Sequence, residues 1–320
     1  MVEPLIEFKN VFKKFDGKPV IKDLNLRIMP GELFVLVGSS GSGKTTTLKM
    51  INRLLEKSSG TITVAGRPVD DYSLTDLRWK IGYVLQQIAL FPTMTVAKNV
   101  SVVPDMQHVA SRQVHAMVDN LLTEVGLDKG FRNRMPGELS GGQQQRVGII
   151  RALAGKPPII LMDEPFSALD PLVRESLQKL ILKLHTKYQN TIVFVTHDMD
   201  EALKLGDRIG IMKNGRLLQV DTPKDITNNP ANKFVADFFS HNRYSDLNKI
   251  LVNQVIEAGF MVARRSDDQA RSAPSIEQMS NLKEVLRLLA SAPLVRIIDG
   301  SGKTVGYFDN ESIIRFLSTI

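Results

Sequence analysis

Hydrophobic and polar residues alternate over the first part of the chain and then give way to dense apolar runs. The stretch IEFKNVFKKFDGKPVIKDLNLRI, residues 6–28, alternates over short runs, which is typical of antiparallel strands with one solvated face. The runs LFVLV (33–37), IILM (159–162) and IVFV (192–195) contain no polar residue, as in parallel strands that are covered on both faces. This pattern predicts an α/β domain with a parallel core sheet and an antiparallel β subdomain.

The remaining segments contain apolar residues at helical spacing and residues that are typical of turns. Apolar residues recur at helical spacing in SRQVHAMVDNLLTEVGL (111–127), which predicts a helical subdomain between the first and second apolar runs. An Asn-Gly pair between two strand-like runs in DRIGIMKNGRLLQV (207–220) predicts a hairpin. Near residue 240 the pattern changes to helix, strand–turn–strand and helix. We therefore predict two domains, 1–240 and 241–320, of which the second is a small α+β domain.

Composition excludes several classes of function. The 320 residues include no cysteine, so a disulfide, a cysteine-ligated metal and a thiol nucleophile are all impossible. The longest uncharged run, residues 81–97, contains glycine, proline and glutamine and is too polar to span a bilayer. The net charge of +7 comes without a dense basic run, so we expect no nucleic-acid partner and favour a mildly basic face near anionic phospholipid.

The segment GSSGSGKT, residues 38–45, carries the strongest chemical signal. It matches G-x-x-x-x-G-K-[ST] and lies between an apolar run and a helical stretch, as a phosphate-binding loop requires. Its glycines let backbone N–H groups turn toward a phosphate chain, and the following helix adds its dipole. Lys44 is expected to reach the β- and γ-phosphates of a bound nucleotide, and Thr45 to bind Mg²⁺. The predicted ATP-binding residues of this loop are Ser39, Gly41, Gly43, Lys44, Thr45 and Thr46.

The other two apolar runs end in residues suited to metal binding and hydrolysis. Asp163 can hold Mg²⁺ directly or through water. Glu164 follows on the opposite side of the extended chain and is the predicted general base. His197 follows IVFVT at the carboxyl end of a strand, where ligands bind in parallel sheets, and is expected to orient the water. Taken singly, acidic residues and histidines at strand ends are also common structural features.

These segments, in this order and together with LSGGQQQR at residues 139–146, resemble the ABC-type ATPases, the nucleotide-binding subunits of ABC transporters. The resemblance implies that Phe15 stacks on adenine. It also implies that Gln86 of YVLQQ senses the γ-phosphate and the metal, so Gln86 is predicted as both a catalytic and a metal-binding residue. The segment SALD (167–170), with Asp170, would run between two active sites.

The stretch LSGGQQQR predicts a capped helix start, and the resemblance implies that its ligand is held by another chain. Ser140 is the expected N-cap and Gln143 occupies the capping-box position. An ordinary capped helix explains the serine but not the paired glycines that follow it. The resemblance implies that this turn meets the γ-phosphate bound to a second copy, in a head-to-tail homodimer that encloses two ATP molecules. The residues predicted to act in trans are Ser140, Gly141, Gly142, Gln143 and Asp170.

The resemblance implies that the chain is the ATPase of an importer. Segments 81–100 and 191–223 look closest to the branch that imports osmoprotectants such as glycine betaine, carnitine and choline. The implied partners are transmembrane permease subunits and, indirectly, a substrate-binding protein, with the chain peripheral on the cytoplasmic face of the inner membrane. Alternatives are an importer of another polar solute such as an amino acid, an ATPase acting on ribosomes or DNA, and an ATP-gated module without turnover.

A candidate docking surface for the permease lies in QQIALFPTMTVAKNV, residues 86–100. Its apolar residues Leu90, Phe91 and Met94 are expected to be exposed and to seat a short helix of a membrane partner. Burial of the same residues in the core is the competing interpretation.

The tail segment 281–317 resembles one CBS motif in its order of helix, strand, turn, strand and helix. Upstream, ILVNQVIEAGFMV is a candidate first half. CBS modules that hold adenosine ligands commonly have Thr or Ser three residues after a glycine and Asp three further on. Counted from Gly306, this chain has Asp309 and Ser312 at those positions. A dimerising or scaffolding tail and a sensor of ionic strength or of a second messenger both remain open.

Overall fold

The structure, a computed structural model, describes residues 3–167, 169–246, 250–262, 270 and 272–317. The chain divides into two compact units, Met1–Val235 and Ala236–Ile320. Within the described ranges, no helix combines the length and the apolar character that a membrane span needs.

The first unit contains two sheets and eight α-helices among its described residues, followed by an α-helix that includes the unit boundary. The strands are β1 (Ile6–Phe15), β2 (Lys18–Ile28), β3 (Leu33–Gly38), β4 (Ser59–Val64), β5 (Arg67–Pro68), β6 (Ile81–Val84), β7 (Ile159–Asp163), β8 (Thr191–Thr196), β9 (Arg208–Lys213) and β10 (Arg216–Asp221). The helices are α1 (Lys44–Ile51), α2 (Leu74–Trp79), α3 (Val96–Met106), α4 (Ser111–Glu124), α5 (Gly141–Ala154), α6 (Pro171–Tyr188), α7 (Met199–Leu205), α8 (Pro223–Asn228) and α9 (Lys233–Asp246).

The larger sheet has the strand order β10-β9-β3-β8-β7-β6. Neighbouring strands from β9 to β6 are parallel, and only β10 at the edge is antiparallel to its neighbour β9. The three apolar runs form the adjacent strands β3, β8 and β7, in which every residue is buried. This confirms the predicted parallel core sheet, whose inner strands are covered on both faces and are therefore mostly apolar.

The smaller sheet is antiparallel, with the order β2-β1-β4-β5. Ile6 lies opposite Ile28 on one side and opposite Val64 on the other, and all three are buried. These side chains share one hydrophobic core with Phe34 of the larger sheet and Leu48 of α1. The alternating pattern of residues 6–28 therefore predicted this layer correctly, because one face of the sheet packs inward and the other is solvated.

Two further predictions concern local structure between the sheets. Helices α3, α4 and α5 contact one another, and α4 buries the apolar positions that recur at helical spacing. The hairpin of β9 and β10 turns at Asn214 and Gly215, whose φ angles are 50° and 78°. Two successive positive φ angles are what a two-residue hairpin turn with Asn-Gly requires.

The second unit is an α+β arrangement of short elements. Its described helices are α10 (Val252–Glu257), α11 (Leu282–Leu289) and α12 (Asn310–Leu317), and its strands are β11 (Ser275–Glu277), β12 (Leu294–Ile298) and β13 (Thr304–Asp309). Strand β12 pairs in parallel with β11 and antiparallel with β13. Phe308, Val285 and Ile313 belong to a hydrophobic core of its own. Helix α11, the strand–turn–strand and the closing helix all follow the sequence pattern.

Candidate nucleotide site

The ends of three parallel strands gather the predicted site residues at one edge of the larger sheet. Val37 of β3 lies opposite Thr196 of β8, and Asp163 of β7 lies opposite Val195 of β8. The chain continues from these ends into the loop 38–45, to Glu164 and to His197. Because the strands are parallel, their carboxyl ends meet at this edge, where ligands bind in open α/β sheets.

The glycines of the loop allow close approach of the neighbouring backbone. A Cβ atom at Gly38 would lie 2.2 Å from the carbonyl oxygen of Met212. Gly43 has a φ of 104°, and a Cβ there would lie 2.5 Å from Cδ1 of Ile21. Neither position accepts a side chain, so the sequence fixes a tight loop directly before α1.

Helix α1 begins without a side-chain cap. Its N-cap is Gly43, and the first helical hydrogen bond runs from the N–H of Thr47 to the Gly43 carbonyl at 2.9 Å. The preceding N–H groups, those of Lys44, Thr45 and Thr46, have no acceptor within the helix. Such a helix end binds anions, because free donors and the helix dipole act together. The loop therefore fits a phosphate chain.

The buried ammonium group of Lys44 also fits a polyphosphate. Its Nζ donates to the carbonyl oxygens of Gly38 at 2.8 Å and Ser39 at 3.1 Å. Burial lowers the pKa of Lys44, while the charges of Glu164 and Asp163 oppose that effect. In the same loop, the buried hydroxyl of Ser42 has no hydrogen-bond partner among the described residues. An anion at this edge would satisfy the buried donors.

Thr45 and Asp163 form a pair of oxygen ligands. The Thr45 hydroxyl donates to Asp163 Oδ1 at 2.8 Å, and burial raises the pKa of Asp163 against the lowering effect of that hydrogen bond. Within the described part of the chain, no group of three or more His, Cys, Asp or Glu residues is arranged to hold a metal. A hydroxyl and one carboxylate suit Mg²⁺, which commonly takes few protein ligands and shares substrate phosphates.

Tyr83 is a neighbour of this pair that sequence reasoning missed. Its hydroxyl donates to Asp163 Oδ2 at 3.4 Å, so the second carboxylate oxygen also has a donor. Burial raises the pKa of Tyr83, with the Asp163 charge adding to the effect, so the phenol stays protonated. The sequence does not reveal the order of strands in the sheet. Tyr83 comes near Asp163 because β6 pairs with β7.

Glu164 and His197 contact each other directly. The distance from His197 Nδ1 to Glu164 Oε2 is 3.0 Å. The expectation of an extended chain at Glu164 is wrong, because its φ is 44°. The bend lets the Glu164 N–H donate to the Val195 carbonyl at 2.9 Å, while the Glu164 carbonyl accepts from Ser167 N–H at 3.2 Å. A carboxylate oriented by an imidazole at this edge can accept a proton from water.

Two predicted site residues stand apart from this cluster. Phe15, at the end of β1, is 40% exposed, and Lys13 Nζ lies 4.6 Å from its ring centroid. Gln86 is exposed after the end of β6, and its side chain makes no hydrogen bond with any described residue. The structure thus brings together Lys44, Thr45, Asp163, Glu164 and His197, and it does not join Phe15 or Gln86 to them.

The turn before α5 has the predicted capping box. Ser140 Oγ accepts from the Gln143 N–H at 3.4 Å, and Gln143 Oε1 accepts from the Ser140 N–H at 2.9 Å. Gly141 is exposed and Gly142 is half-buried. A Cβ atom at Gly142 would lie 2.7 Å from Cγ1 of Val173 in α6.

The Asp170 turn lies next to this helix start. Asp170 is the N-cap of α6, and its Oδ1 accepts from the Val173 N–H at 3.0 Å. Since Val173 also faces Gly142, the two turns predicted to act in trans are packed together. Ala168 of the SALD segment lies outside the described residues.

An apolar groove of about 610 Å³ lies beside α2, β6 and α3. The exposed position expected for Leu90 is wrong, because Leu90 is buried. Phe91 is 44% exposed and lines the groove, whereas Met94 is half-buried and does not line it. These residues belong to a short apolar run without periodicity, so the sequence could not show which of them are buried and which are exposed. Other residues of the groove wall are Leu74, Trp79, Val103, Met106 and Arg151.

Comparison with known proteins places this geometry in a family. The model of the ABC transporter family matches residues 21–167. The choline transport ATP-binding protein OpuBA of Bacillus subtilis (strain 168) is 43% identical over 313 residues, which cover 97% of this chain and 79% of that protein. The glycine betaine uptake system ATP-binding protein YehX of Escherichia coli (strain K12) is 40% identical over 304 residues, covering 94% and 96%.

Solved structures share the fold over 68% to 72% of the chain. The structure of cbiO1 from Clostridium perfringens, part of the ABC transporter complex cbiONQ, has a TM-score of 0.66 and 29% identity, covering 72% of this chain and 92% of that one. A dimeric post-hydrolysis structure of the ATP-binding cassette MJ0796 with ADP and Pi has a TM-score of 0.62 and 36% identity, covering 68% and 98%.

Proposed function

This chain belongs to the ATP-binding proteins of ABC transporters, and from that premise we propose that it is the ATP-hydrolysing subunit of an importer for osmoprotectants of the quaternary-amine class, such as glycine betaine, carnitine or choline. The observation that carries the proposal is the span of the similarity. Relatives named for those solutes align over 94% and 97% of the chain, so they match the second unit as well as the ATPase unit. An importer of another polar solute, such as an amino acid, is the second candidate.

The proposed hydrolytic group is Glu164 together with His197. Glu164 takes the proton from the attacking water, and His197, 3.0 Å away, orients that water and the carboxylate. Gln86 completes the catalytic group when nucleotide is present. Lys44 and the uncapped N–H groups of α1 hold the β- and γ-phosphates. Phe15 provides the adenine stacking surface, for which Lys13 must leave the ring.

Mg²⁺ is the proposed metal, and its protein ligands are Thr45 and Asp163, with Gln86 as the third predicted one. When bound, the ion would offset the charge of the phosphates and favour transfer of the γ-phosphoryl group to water. Tyr83 donates to the second oxygen of Asp163 and holds the carboxylate plane in place.

The proposed assembly is a head-to-tail homodimer. Ser140, Gly141, Gly142, Gln143 and Asp170 of one copy complete the nucleotide site of the other. The dimeric MJ0796 structures support this assembly, because they have the same fold at 36% identity. The α5 turn supports it too, since an exposed, glycine-paired helix start has no phosphate of its own chain to bind.

The proposed membrane partners are two permease subunits that dock in the apolar groove beside Phe91 and Arg151. Arg151 Nη1 donates to the Ala89 carbonyl at 2.5 Å, and its guanidinium lies 5.8 Å from the Phe91 ring centroid. An exposed groove with apolar walls suits a short amphipathic helix. The chain would then be peripheral on the cytoplasmic face of the membrane, with a substrate-binding protein acting through the permease.

Residues 241–320 are proposed to form a CBS-like domain after the ATPase domain 1–240. Asp309 and Ser312 cap each other: Asp309 Oδ1 accepts from the Ser312 N–H at 2.8 Å, and Ser312 Oγ accepts from the Asp309 N–H at 3.1 Å. Because both side chains complete the start of α12, the proposal favours a dimerising or scaffolding role over adenosine binding.

The test of the hydrolytic assignment is Glu164→Gln. We expect ATP to bind as it does to the unchanged chain, while hydrolysis falls by about 10²–10⁴-fold because the proton acceptor is lost. Phosphate release and equilibrium binding of ATP measure the two properties separately. Unchanged turnover would remove Glu164 from this role.

The test of the solute class is uptake by the complete transporter. The chain is produced together with a permease and a substrate-binding protein of the same transporter, and uptake of labelled glycine betaine, choline and glutamine is compared. ATP-dependent uptake of the quaternary amines and not of glutamine is expected. Uptake of glutamine alone would favour the second candidate.

A further inference from the structure

Arg174 of α6 joins two segments of the chain that lie on different sides of it. Its guanidinium Nη2 donates to the carbonyl oxygen of Leu169 at 3.2 Å, in the turn before α6. On the other side, Nη1 lies 3.6 Å from Asp198 Oδ2, and Nε lies 3.9 Å from Glu201 Oε1. Both acids follow His197 closely in the chain. One guanidinium therefore links the turn before α6 to the segment that follows His197.

The acidic side of this link is rigid. Glu201 is buried, and its Oε2 accepts from the Thr196 hydroxyl at 2.6 Å. The Thr196 hydroxyl also accepts from the Asp198 N–H at 3.0 Å. Asp198 Oδ1 caps α7 through the N–H groups of Asp200 and Glu201. Arg174 therefore contacts carboxylates that are already fixed to the end of β8.

The turn side of the link leads back to the hydrolytic group. The Leu169 N–H donates to the Phe166 carbonyl at 3.2 Å, and the Ser167 hydroxyl donates to the Glu164 carbonyl at 3.1 Å. Glu164 in turn contacts His197. Contacts therefore join the pair of Glu164 and His197 to the turn before α6, and that turn to the guanidinium of Arg174. The guanidinium in turn contacts Asp198 and Glu201, which follow His197 in the chain. Arg174 is the member that spans the two segments.

We propose that Arg174 is a positioning residue that couples the two nucleotide sites of the dimer, by fixing the Asp170 turn to the strand end that carries His197. This inference rests on the proposed function, in which the Asp170 turn of one copy contributes to the site of the other copy while His197 serves its own. A change at Glu164 and His197 during hydrolysis is then passed to the turn, and so to the partner's nucleotide.

The exchange Arg174→Lys tests the link without removing the charge. A lysine offers one ammonium group where the guanidinium offers a planar fork, so it can pair with an acid but cannot also reach the Leu169 carbonyl. We expect R174K to unfold at nearly the same urea concentration as the unchanged chain. We expect the Hill coefficient for ATP in hydrolysis to fall to about one, because the sites no longer communicate. ATP affinity should change by less than about threefold.

Arg208 provides a matched control. Its Nη1 donates to the Arg27 carbonyl and to Glu32 Oε1, both at 3.2 Å, so it too joins a carbonyl to a buried glutamate. It lies opposite Phe34 at the amino end of β3, away from the nucleotide edge. Arg208→Lys should leave the Hill coefficient unchanged.

Arg174→Ala gives the larger effect, a fall in kcat of about tenfold or more from misplacement of the turn. R174K with the Hill coefficient of the unchanged chain would overturn the inference, as would an equal fall in R208K. The dimer itself is checked separately with Glu164→Gln and ATP. If that variant forms the ATP-bound dimer and R174K stays cooperative, the coupling inference alone fails. If no dimer forms, the proposed function fails and the inference falls with it.

Discussion

Helices α1 and α5 both begin at glycine-containing turns, but their amino ends are completed in different ways. Helix α1 follows Gly43 and has no side-chain cap. Helix α5 follows Ser140, and the side chains of Ser140 and Gln143 satisfy each other's backbone N–H groups. An end without a cap depends on a ligand for its donors, whereas a capped end is stable before any ligand arrives. In the proposed function, this is the difference between a site that binds nucleotide and a surface of the other copy that closes over it.

The starts of α1 and α5 also differ in the positive charge close to them. The ammonium of Lys44 belongs to the first turn of α1 and is buried beside the loop. The first basic residue of α5 is Arg146, whose Nη2 donates to Ser176 Oγ at 2.9 Å and whose Nη1 donates to the Val125 carbonyl. It is committed to neighbouring elements and does not face the Ser140 turn as a free cation. The α5 end by itself should therefore bind phosphate weakly.

The largest effect is expected from a substitution at the start of α1. In Lys44→Ala, a charged donor to the phosphates is lost, and ATP affinity should fall by roughly 10- to 100-fold. The matched substitution at the other end, Gln143→Ala, should leave ATP affinity of the single chain unchanged. Titration with a fluorescent ATP analogue measures both. Equal losses of affinity in the two variants would contradict the division of roles.

A smaller effect is expected from Gly142→Ala at the α5 end. The new Cβ would lie 2.7 Å from Val173 Cγ1, so the two packed turns must move apart. Overpacking of this kind commonly costs about 1–3 kcal/mol, which predicts a roughly tenfold fall in hydrolysis with ATP binding retained. The double variant Gly142→Ala with Val173→Ala has room for the methyl group and should recover most of the lost rate. No recovery in the double variant would show that this packing does not set the position of the turn.

The sequence predicted these helix ends well because their chemistry is local. Glycines, a lysine and a hydroxyl at fixed spacing define the loop before α1, and serine with glutamine three residues later defines the cap of α5. Period and polarity likewise predicted both sheets of the first unit. The ABC transporter membership and the ATPase activity that follows from it agree with the resemblance found in those segments.

What the sequence did not reveal depends on tertiary contacts. The bend at Glu164 arises where its N–H reaches Val195 of the neighbouring strand. Tyr83 reaches Asp163 only because β6 pairs with β7. Leu90 is buried although Phe91 beside it is exposed, and no periodicity separates them. Strand order and burial of short runs are decided by packing between distant parts of the chain.

Removal of the α5 cap should lower the stability of the folded chain. Ser140→Ala deletes the hydroxyl that accepts from the Gln143 N–H and should lower the free energy of unfolding by about 1 kcal/mol. The corresponding position of α1 is already glycine, so that end has no side-chain cap to lose. Urea unfolding measures the change. A stability equal to that of the unchanged chain would mean that the capping box contributes nothing in solution.

The smallest effect concerns pH and Glu201, the buried acid whose Oε1 lies 3.9 Å from Arg174 Nε. Burial raises the pKa of Glu201, and the hydrogen bond from Thr196 opposes the rise. Because the folded chain then holds the proton more tightly, this contribution to stability is complete below the unfolded pKa of about 4.3 and is lost as the pH rises through the folded value. In Glu201→Gln this carboxyl group no longer titrates. The unfolding free energy of the variant should therefore fall less steeply with rising pH than that of the unchanged chain. Unfolding of both chains across a pH series measures the slopes, and equal slopes would contradict the prediction.

The most direct test of the division between the two helix ends is the molar mass of the Glu164→Gln chain by light scattering, with and without ATP and Mg²⁺. We expect the mass of one chain, 35.6 kDa, without ATP and twice that mass with ATP. We also expect that adding Gly142→Ala lowers the share of dimer with ATP, so that the average mass falls toward that of one chain. A Glu164→Gln chain that binds ATP and stays at 35.6 kDa would contradict the account.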